Sequence, residues 1–429
     1  MPDSFYYILF SVIFLSIFLA WVKSETLANP TTIYVIWWGG FIFLSTFNLI
    51  GMRLPSMYAY QLIILSLIMF SVGSITFLSN KKLLLKKVKK LDFNINNSIK
   101  LKLFFYFQFF ITIILILMIQ KTIGMLRNLN PGTFRGMVYS SEGLYGNYLL
   151  YFAYFVKPSL YACSFISIAG VLLEKLPKRF LFISFLNLIL YSISTIGRFP
   201  IFLIVINLFL GFYFLIDKKK IKLRYIASVL LLITFIISMS TFRTSNQSLD
   251  PFSIIKNYFV WYFAGPFTAF DYFLNNYKVG IDYDYSYFRG FIAGIDWILD
   301  IIFKKISIPF ANINNSFHEI TATYRSLGGS AINHNSHYTM LYTFYRDAGI
   351  FGIALYSYII GVINSLTFNT FRKNYSIVSF SLLLLVFFVS IMGLLKWEFR
   401  YIWSVGSVFI IIFISQKFVI RKKAIQNEF

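Results

Sequence analysis

One arginine stands at a tight turn between two long apolar runs, Arg198 in the segment 195–200, with a glycine before it and a proline two residues after it. Its planar guanidinium presents a fork of N–H donors that fits a phosphate or pyrophosphate group. A charged side chain close to a membrane has a function by default when no partner is evident. An arginine that merely anchors a helix to lipid headgroups is the alternative. We predict that Arg198 binds an anionic group at the outer surface of a membrane.

Further arginines are predicted on the same side. Arg135 follows a Pro-Gly pair, Arg243 directly follows the eighth apolar run, and Arg289, Arg325 and Arg400 complete the set. Each of them alone is expected to be a solvated or lipid-facing charge. A cluster in which several of them converge would form a site for an anionic ligand.

The three histidines all lie in or at the end of the segment 242–337, at positions 318, 334 and 337. Histidine serves as a general base near neutral pH, so His337 and His334 are the first candidates for a catalytic base, with Asp347 and Glu142 behind them. A polar loop contact is the alternative. Their i, i+3 spacing also suits metal ligands, but no HExxH or carboxylate-rich pattern accompanies them. No metal or other cofactor is expected.

The ninth apolar run opens with polar residues that are candidates for substrate contact. Tyr338 begins it, and the adjacent pair Arg346 and Asp347 follows. The same pair suits the start of a helix, where the helix dipole favours an acid, and the two interpretations stay open.

Catalytic motifs that use nucleotides or an activated serine are missing: the chain contains no P-loop, GxGxxG or GxSxG sequence. A nucleotide-driven enzyme is therefore not expected. The energy for a reaction would come from a substrate that is already activated and resident in the membrane.

The composition defines the solvent. Of 429 residues, 58% are hydrophobic and 13% are charged, against about a quarter charged in a soluble domain. About eleven apolar runs approach the roughly 20 residues that cross a bilayer. We therefore predict an all-α polytopic membrane protein, a single integral membrane domain over 1–429 with about 10 to 12 transmembrane helices. The only cysteine, Cys163, lies in an apolar run, so no disulfide framework is expected.

The predicted transmembrane helices cover about 5–22, 33–50, 58–79, 103–120, 149–173, 180–196, 199–216, 225–241, 338–366, 376–395 and 402–417.

The basic residues set the expected orientation. The formal net charge is +23, and lysines crowd the segments 80–102 and 217–224, which are therefore predicted to be cytoplasmic. This placement makes the C-terminus cytoplasmic and the N-terminus external. Because the charge is explained by orientation, nucleic acid is not an expected partner.

Two predicted outer loops are long enough to be functional, 121–148 and 242–337. The larger one carries aromatic residues over 259–273 and an apolar stripe with helical spacing over 292–302. We expect two helices that lie on or dip into the outer membrane interface. No internal repeat is visible, which argues against a transporter built from inverted repeats.

Three segments resemble motifs of the Wzy-type polymerases, which join lipid-linked oligosaccharide repeat units in bacteria. Residues 194–198 resemble the family's "tGsR" turn, and residues 338–352 resemble its "yT…DfG..G" segment. Tyr262 with Gly265 and Asp271 looks like its "Y..G" loop. The layout is also similar, from about residue 30 to 417, with a basic cytoplasmic loop after the third span and one dominant outer loop.

The resemblance implies an inverting glycosyltransferase of the bacterial cytoplasmic (inner) membrane, with its active site facing outward. The growing glycan would pass from undecaprenyl pyrophosphate to the non-reducing end of a new lipid-linked repeat unit, in O-antigen or capsule synthesis. Its partners would be that lipid-linked oligosaccharide, membrane lipids and a chain-length regulator. Arg198 would bind the pyrophosphate first, followed by Arg135 and Arg243, and arginines would neutralise it in place of a metal.

Two alternatives belong to other classes. The related O-antigen ligases usually carry a His-Asn with the histidine eleven positions before the equivalent glycine. Here His337 is followed by Tyr338 and lies twelve positions before Gly349, which favours a polymerase. A flippase or exporter of lipid-linked sugars should carry polar residues along its span centres, paired repeats and short outer loops, and the sequence departs from that pattern.

Overall fold

The protein is described by a computed structural model over residues 2–48, 51–80, 98–138, 143–197, 199–215, 260–281, 284–322, 325–328, 333–334 and 338–426. Over these residues the chain is predominantly helical. One antiparallel pairing joins β1 (Arg325–Ser326) to β2 (Asn333–His334). Within the same ranges, five helices are long and apolar enough to cross a membrane. The described part of the chain is thus an all-α membrane protein.

The helices are, in chain order, α1 (Asp3–Ser24), α2 (Pro30–Ser45), α3 (Met57–Phe77), α4 (Ser98–Leu126), α5 (Pro131–Met137), α6 (Leu149–Leu172, with a π-helical turn at Phe152–Val156), α7 (Lys178–Thr195), α8 (Phe199–Phe214), α9 (Gly265–Asn276), α10 (Ala293–Lys305), α11 (Ile313–Ala322), α12 (Thr339–Asn374), α13 (Ile377–Met392) and α14 (Ile402–Gln426). The five long apolar helices are α1, α3, α4, α6 and α12. Four shorter apolar ones are α2, α8, α13 and the first part of α14.

Helices lie over all the predicted spans except 225–241, which falls outside the described residues. Their ends differ from the prediction at two places. Helix α4 continues to Leu126, into the predicted outer loop 121–148, and α12 continues to Asn374 rather than ending near 366. Both extensions carry charged or polar residues that a hydropathy pattern excludes but a helix tolerates. The total of about eleven spans stays a prediction.

Local sequence explains several helix starts. Asn29 precedes Pro30, and its side-chain oxygen accepts the Thr32 N–H at 3.0 Å. Asn130 caps α5 in the same way, accepting the Thr133 N–H at 2.8 Å. Such an Asn-Pro start satisfies one N–H of the first turn while proline removes another.

The chain forms two compact units, and the first comprises Met1–Lys89, Phe252–Asn374 and Val389–Ser404. Its centre is the packing of α3 against α12. A Cβ atom on Gly361 would overlap the Phe70 carbonyl oxygen and come within 2.8 Å of the Ser74 nitrogen. Ser66 and Ser357 share a hydrogen bond of 2.8 Å between the same helices. Small residues and hydroxyl pairs are what bring helices close together in a membrane.

This close approach makes Gly361 a sensitive position. Gly361→Ala is expected to lower the melting temperature in detergent, because the added methyl group must push the two backbones apart, and overpacking costs about 1–3 kcal/mol. Gly40→Ala on α2 is the matched control, since a Cβ atom there meets nothing within 4 Å. Equal melting temperatures for the two variants would contradict the packing described.

The second unit comprises Lys90–Pro251, Tyr375–Phe388 and Val405–Phe429. Its described interior contains a polar cluster that joins α4, α6 and α7. The Gln108 amide donates to the hydroxyls of Ser167 at 2.9 Å and Ser184 at 2.8 Å. Thr112 donates to the Asn187 side-chain oxygen at 2.7 Å. These bonds hold three helices together without burying a charge.

The large loop predicted at 242–337 contains three described helices, α9, α10 and α11. Phe267, Phe270 and Phe273 of α9 are completely buried in the first unit. Its aromatic side therefore packs against protein, where the sequence suggested an interfacial face. A position of α10 at a membrane interface stays a prediction.

Candidate functional site

Helix α12 is broken just after the Arg346-Asp347 pair. Ala348 has φ −157° and ψ 34°, and Gly349 has φ 59° and ψ −139°. A residue with a side chain rarely adopts the second conformation, so glycine is required there. One turn later, a Cβ atom on Gly352 would overlap the Phe344 carbonyl oxygen. Both glycines of the 338–352 segment thus have structural reasons, and the break exposes backbone groups of Arg346 and Asp347 to new partners.

The segment Tyr285–Phe291, here called the docking loop, binds to this break. The Asp347 carboxylate accepts the backbone N–H of Gly290 at 2.8 Å with one oxygen and that of Phe291 at 2.7 Å with the other. In return, the backbone N–H of Ser286 donates to the Arg346 carbonyl at 2.9 Å, and that of Tyr287 to the Asp347 carbonyl at 3.1 Å. The carboxylate is therefore engaged in holding the docking loop.

Gly290 is needed for this contact. A Cβ atom there would come within 2.6 Å of an Asp347 carboxylate oxygen and 2.8 Å of the Phe317 ring. The docking loop consequently lies close enough to α12 for backbone hydrogen bonds only because this position has no side chain.

Arg346 points from the same break toward α11. Its side chain is 2% exposed, and its guanidinium carbon lies 4.8 Å from the centre of the Phe317 ring. It donates to the Ser316 hydroxyl at 2.9 Å and to the Ser316 carbonyl at 3.3 Å. No carboxylate is among these hydrogen-bond partners, so they leave its positive charge in place.

The turn between α13 and α14 brings a second arginine to the same ring. This charged turn, Lys396–Tyr401, places the Arg400 guanidinium carbon 5.2 Å from the centre of Phe317. Arg400 is 8% exposed, and its Nε atom lacks a hydrogen-bond partner among the described residues. Over the same ranges no carboxylate lies within ion-pair distance of it. Two buried guanidinium groups thus converge on Phe317.

The charged turn is attached to the docking loop through Trp397. The indole N–H donates to the Phe291 carbonyl at 2.7 Å, and the two rings stack with centres 5.1 Å apart. The docking loop therefore connects the break in α12 to the charged turn. Hydrogen bonds and ring contacts of this kind fix where Arg346 and Arg400 lie within the first unit.

The charged turn also shifts the protonation of its own side chains. Lys396 pairs with the fully buried Glu398 at 3.5 Å and lies 4.3 Å above the Tyr401 ring. Burial lowers the pKa of Lys396, but Glu398 and Tyr401 raise it further, so that its net pKa is above the usual value. Burial raises the pKa of the Tyr401 phenol, but Lys396 and Arg400 lower it further, so that its net pKa is below the usual value.

Other predicted site residues have different surroundings. Arg289 pairs with the buried Asp296 at 2.7 Å and donates to the Ala311 carbonyl at 2.6 Å, so it braces the start of α10. Tyr338 is buried, with its ring 5.4 Å from that of Tyr342. Neither points to a role at the two converging arginines.

In the second unit, Arg135 lies beside the turn that precedes Arg198. Its guanidinium donates to the Thr195 carbonyl at 3.1 Å, and a Cβ atom on Gly197 would be 3.8 Å from it. The Ser192 hydroxyl donates to the Gly197 carbonyl, which closes the turn. Arg198 itself, with Arg243, His337 and Glu142, lies outside the described residues. Arg325 and His334 are described by their backbone alone, which pairs in register between β1 and β2.

Among the described residues, no group of three His, Cys, Asp or Glu side chains is arranged to hold a metal ion. The comparisons with known proteins add no assignment: no family model, curated protein or solved structure matches this chain.

Sequence reasoning found Arg346, Asp347 and Arg400 but missed their setting. Phe317, Gly290, Lys396 and Tyr401 were not singled out. The one available signal was the run Lys-Trp-Glu-Phe-Arg-Tyr at 396–401, where charged and aromatic residues alternate between two apolar helices. Such a run is unusual beside a membrane, where charges are costly.

Proposed function

We propose that this chain polymerises lipid-linked oligosaccharide repeat units, as the Wzy-type polymerases do. The observation that carries the proposal is the convergence of Arg346 and Arg400 on Phe317, with Arg400 buried and lacking an ion-pair partner among the described residues. A buried charge without a counter-charge costs several kcal/mol, in the range of about 3–5. An anionic substrate group between the two guanidiniums would recover that cost.

The substrate that fits is a polyprenyl pyrophosphate that carries a glycan. An acceptor sugar hydroxyl attacks the anomeric carbon with inversion, and lipid pyrophosphate leaves. Guanidinium donors stabilise the charge that develops on the leaving group, and such fixed donors are usually the largest catalytic contribution. Neither a nucleotide nor a metal is needed for this step.

The surroundings proposed for this reaction follow the sequence. We place the chain in the bacterial cytoplasmic membrane with about eleven spans. The Lys-rich segments face the cytoplasm under the positive-inside rule, and the charged turn and docking loop face outward. The lipid-linked repeat unit and membrane lipids are its proposed partners, together with a chain-length regulator.

Arg198 gives a test in the second unit that is independent of the two converging arginines. Arg198→Ala is expected to abolish chain growth while the protein still accumulates in the membrane, because the variant loses a bidentate contact to pyrophosphate. Polymer length on a gel and membrane abundance by immunoblot check both parts. Retained chain growth would remove Arg198 from the site.

The proposal itself is tested by reconstitution. The purified protein is given the lipid-linked repeat unit from its source organism, without nucleotide, and the products are separated on a gel. A ladder of lengths is the expected result. A single transfer product without a ladder would indicate a ligase instead. If a folded sample yields no new bands, translocation of the same lipid in liposomes would test the flippase alternative.

A further inference from the structure

The proposed reaction requires a group that accepts a proton, and this inference rests on that reaction. As the acceptor hydroxyl attacks, its O–H bond must break. Asp347 is poorly suited, because both its oxygens already accept backbone N–H groups. Glu398 is fully buried and paired with Lys396. Neither acid therefore has an oxygen both accessible and uncommitted for a sugar hydroxyl.

Tyr401 has the position that these acids lack. Its ring lies between two cations, with Lys396 Nζ 4.3 Å and the Arg400 guanidinium carbon 5.5 Å from the ring centre. Lys396 also hydrogen-bonds the phenol. Unlike the buried side chains of Arg400 and Glu398, the Tyr401 side chain is partly exposed, so a substrate can reach it.

The phenol also lies next to the proposed leaving-group site. Arg400 stacks with Phe317 and with Tyr401, and Arg346 stacks with the same Phe317 ring. One arginine thus connects the anion site to the phenol. A base at this distance serves the acceptor side of a displacement whose leaving group is held by the two guanidiniums.

We propose that the Tyr401 phenolate oxygen is the general base of the polymerisation reaction. It takes the proton of the acceptor hydroxyl, whose oxygen forms the new bond to the anomeric carbon of the donor. The bond from that carbon to pyrophosphate breaks, and its electron pair leaves with the pyrophosphate, whose charge faces Arg346 and Arg400. The proton then passes from the phenol to water.

The charges around the phenol favour its ionised form. Lys396 and Arg400 lower the pKa of Tyr401 more than burial and Glu398 raise it. On α11 the facing group is the uncharged Phe317, and from α12 Arg346 faces the same ring. Because the folded-state pKa is lowered, the active phenolate forms at a lower pH than an ordinary tyrosine would allow.

The first experiment compares Tyr401→Phe with the wild-type protein in the reconstituted assay. The variant is expected to lose about 10²–10⁴-fold in kcat, with an unchanged KM for the lipid-linked substrate, since only the hydroxyl is removed. Tyr7→Phe on the exposed face of α1 is the control and should keep the wild-type rate. If Tyr401→Phe keeps more than half of the wild-type kcat, the inference is overturned.

A second measurement separates a base from a structural hydroxyl. Replacing Tyr401 with 3,5-difluorotyrosine keeps the side-chain shape and acidifies the phenol, so the acid limb of the kcat profile is expected to move to lower pH. An acid limb that stays in place would count against Tyr401. Failure of the wild-type protein to form any polymer would instead refute the proposed function, so the two failures are distinguishable.

Discussion

Arg400→Met is expected to abolish polymer formation and, at the same time, to raise the thermal stability of the substrate-free protein. The loss of activity follows from the removal of one donor to the leaving pyrophosphate, which costs about 10²–10³-fold in kcat. The gain in stability follows because Arg400 is buried and has no ion-pair partner among the described residues. Replacing such a charge with an apolar side chain stabilises proteins by up to about 1–4 kcal/mol.

A matched variant makes the prediction sharper. Arg289→Met is the same chemical change in the same unit, but it removes the partner of Asp296, which is 2% exposed. That variant should melt at a lower temperature than the wild-type protein, because a buried carboxylate loses its counter-charge. Thermal unfolding in detergent and gel-based chain growth measure the two effects. A stabilised Arg400→Met that still polymerises would show that the buried charge serves something other than this substrate.

Asp347→Asn is expected to lower both stability and activity. The amide offers one oxygen and one NH2 group where the carboxylate accepted two backbone N–H bonds, from Gly290 and Phe291. A hydrogen bond to a charged group contributes about 1.5–3 kcal/mol. The docking loop would then hold Arg346 less well, and a displacement of about 1 Å can cost 10²-fold in rate.

Asp300→Asn is the control for this change. Asp300 pairs at 2.9 Å with Lys304, a side chain that is 72% exposed, one turn away on α10. Pairs of that kind contribute only about 0.3–0.5 kcal/mol, so melting temperature and rate should change little. Limited proteolysis at the docking loop provides a third comparison, with faster cleavage expected for Asp347→Asn alone. If the two variants behave alike, the carboxylate does not hold the loop.

The positions of the helices could be predicted because hydropathy determines them. The runs at 5–22 and 58–79 correspond closely to α1 and α3. The break in α12 could not be found this way, since hydropathy continues across Gly349 and only a backbone angle distinguishes it. The burial of α9 was missed for a similar reason. An aromatic stretch has the same composition whether it faces lipid or a neighbouring helix.

The site was predicted in its residue types but not in its grouping. Outer arginines were expected to matter if they converged, and sequence gives no distances. Arg346 and Arg400 are brought together by Phe317, which carries no charge and no motif. Arg289 looked equivalent to them in sequence, yet it pairs with Asp296. The difference is set by which carboxylate lies nearby, and that depends on tertiary contacts.

The attachment of the docking loop through backbone groups has an evolutionary consequence. Because Asp347 binds main-chain N–H groups, most side chains of the loop are free to drift, provided that position 290 keeps a glycine. Selection would then preserve one Gly–Asp pair separated by 57 positions while the surrounding sequence diverges. Distant relatives of this chain should share that spaced pair, followed by the glycine of the helix break, long after their overall similarity has faded.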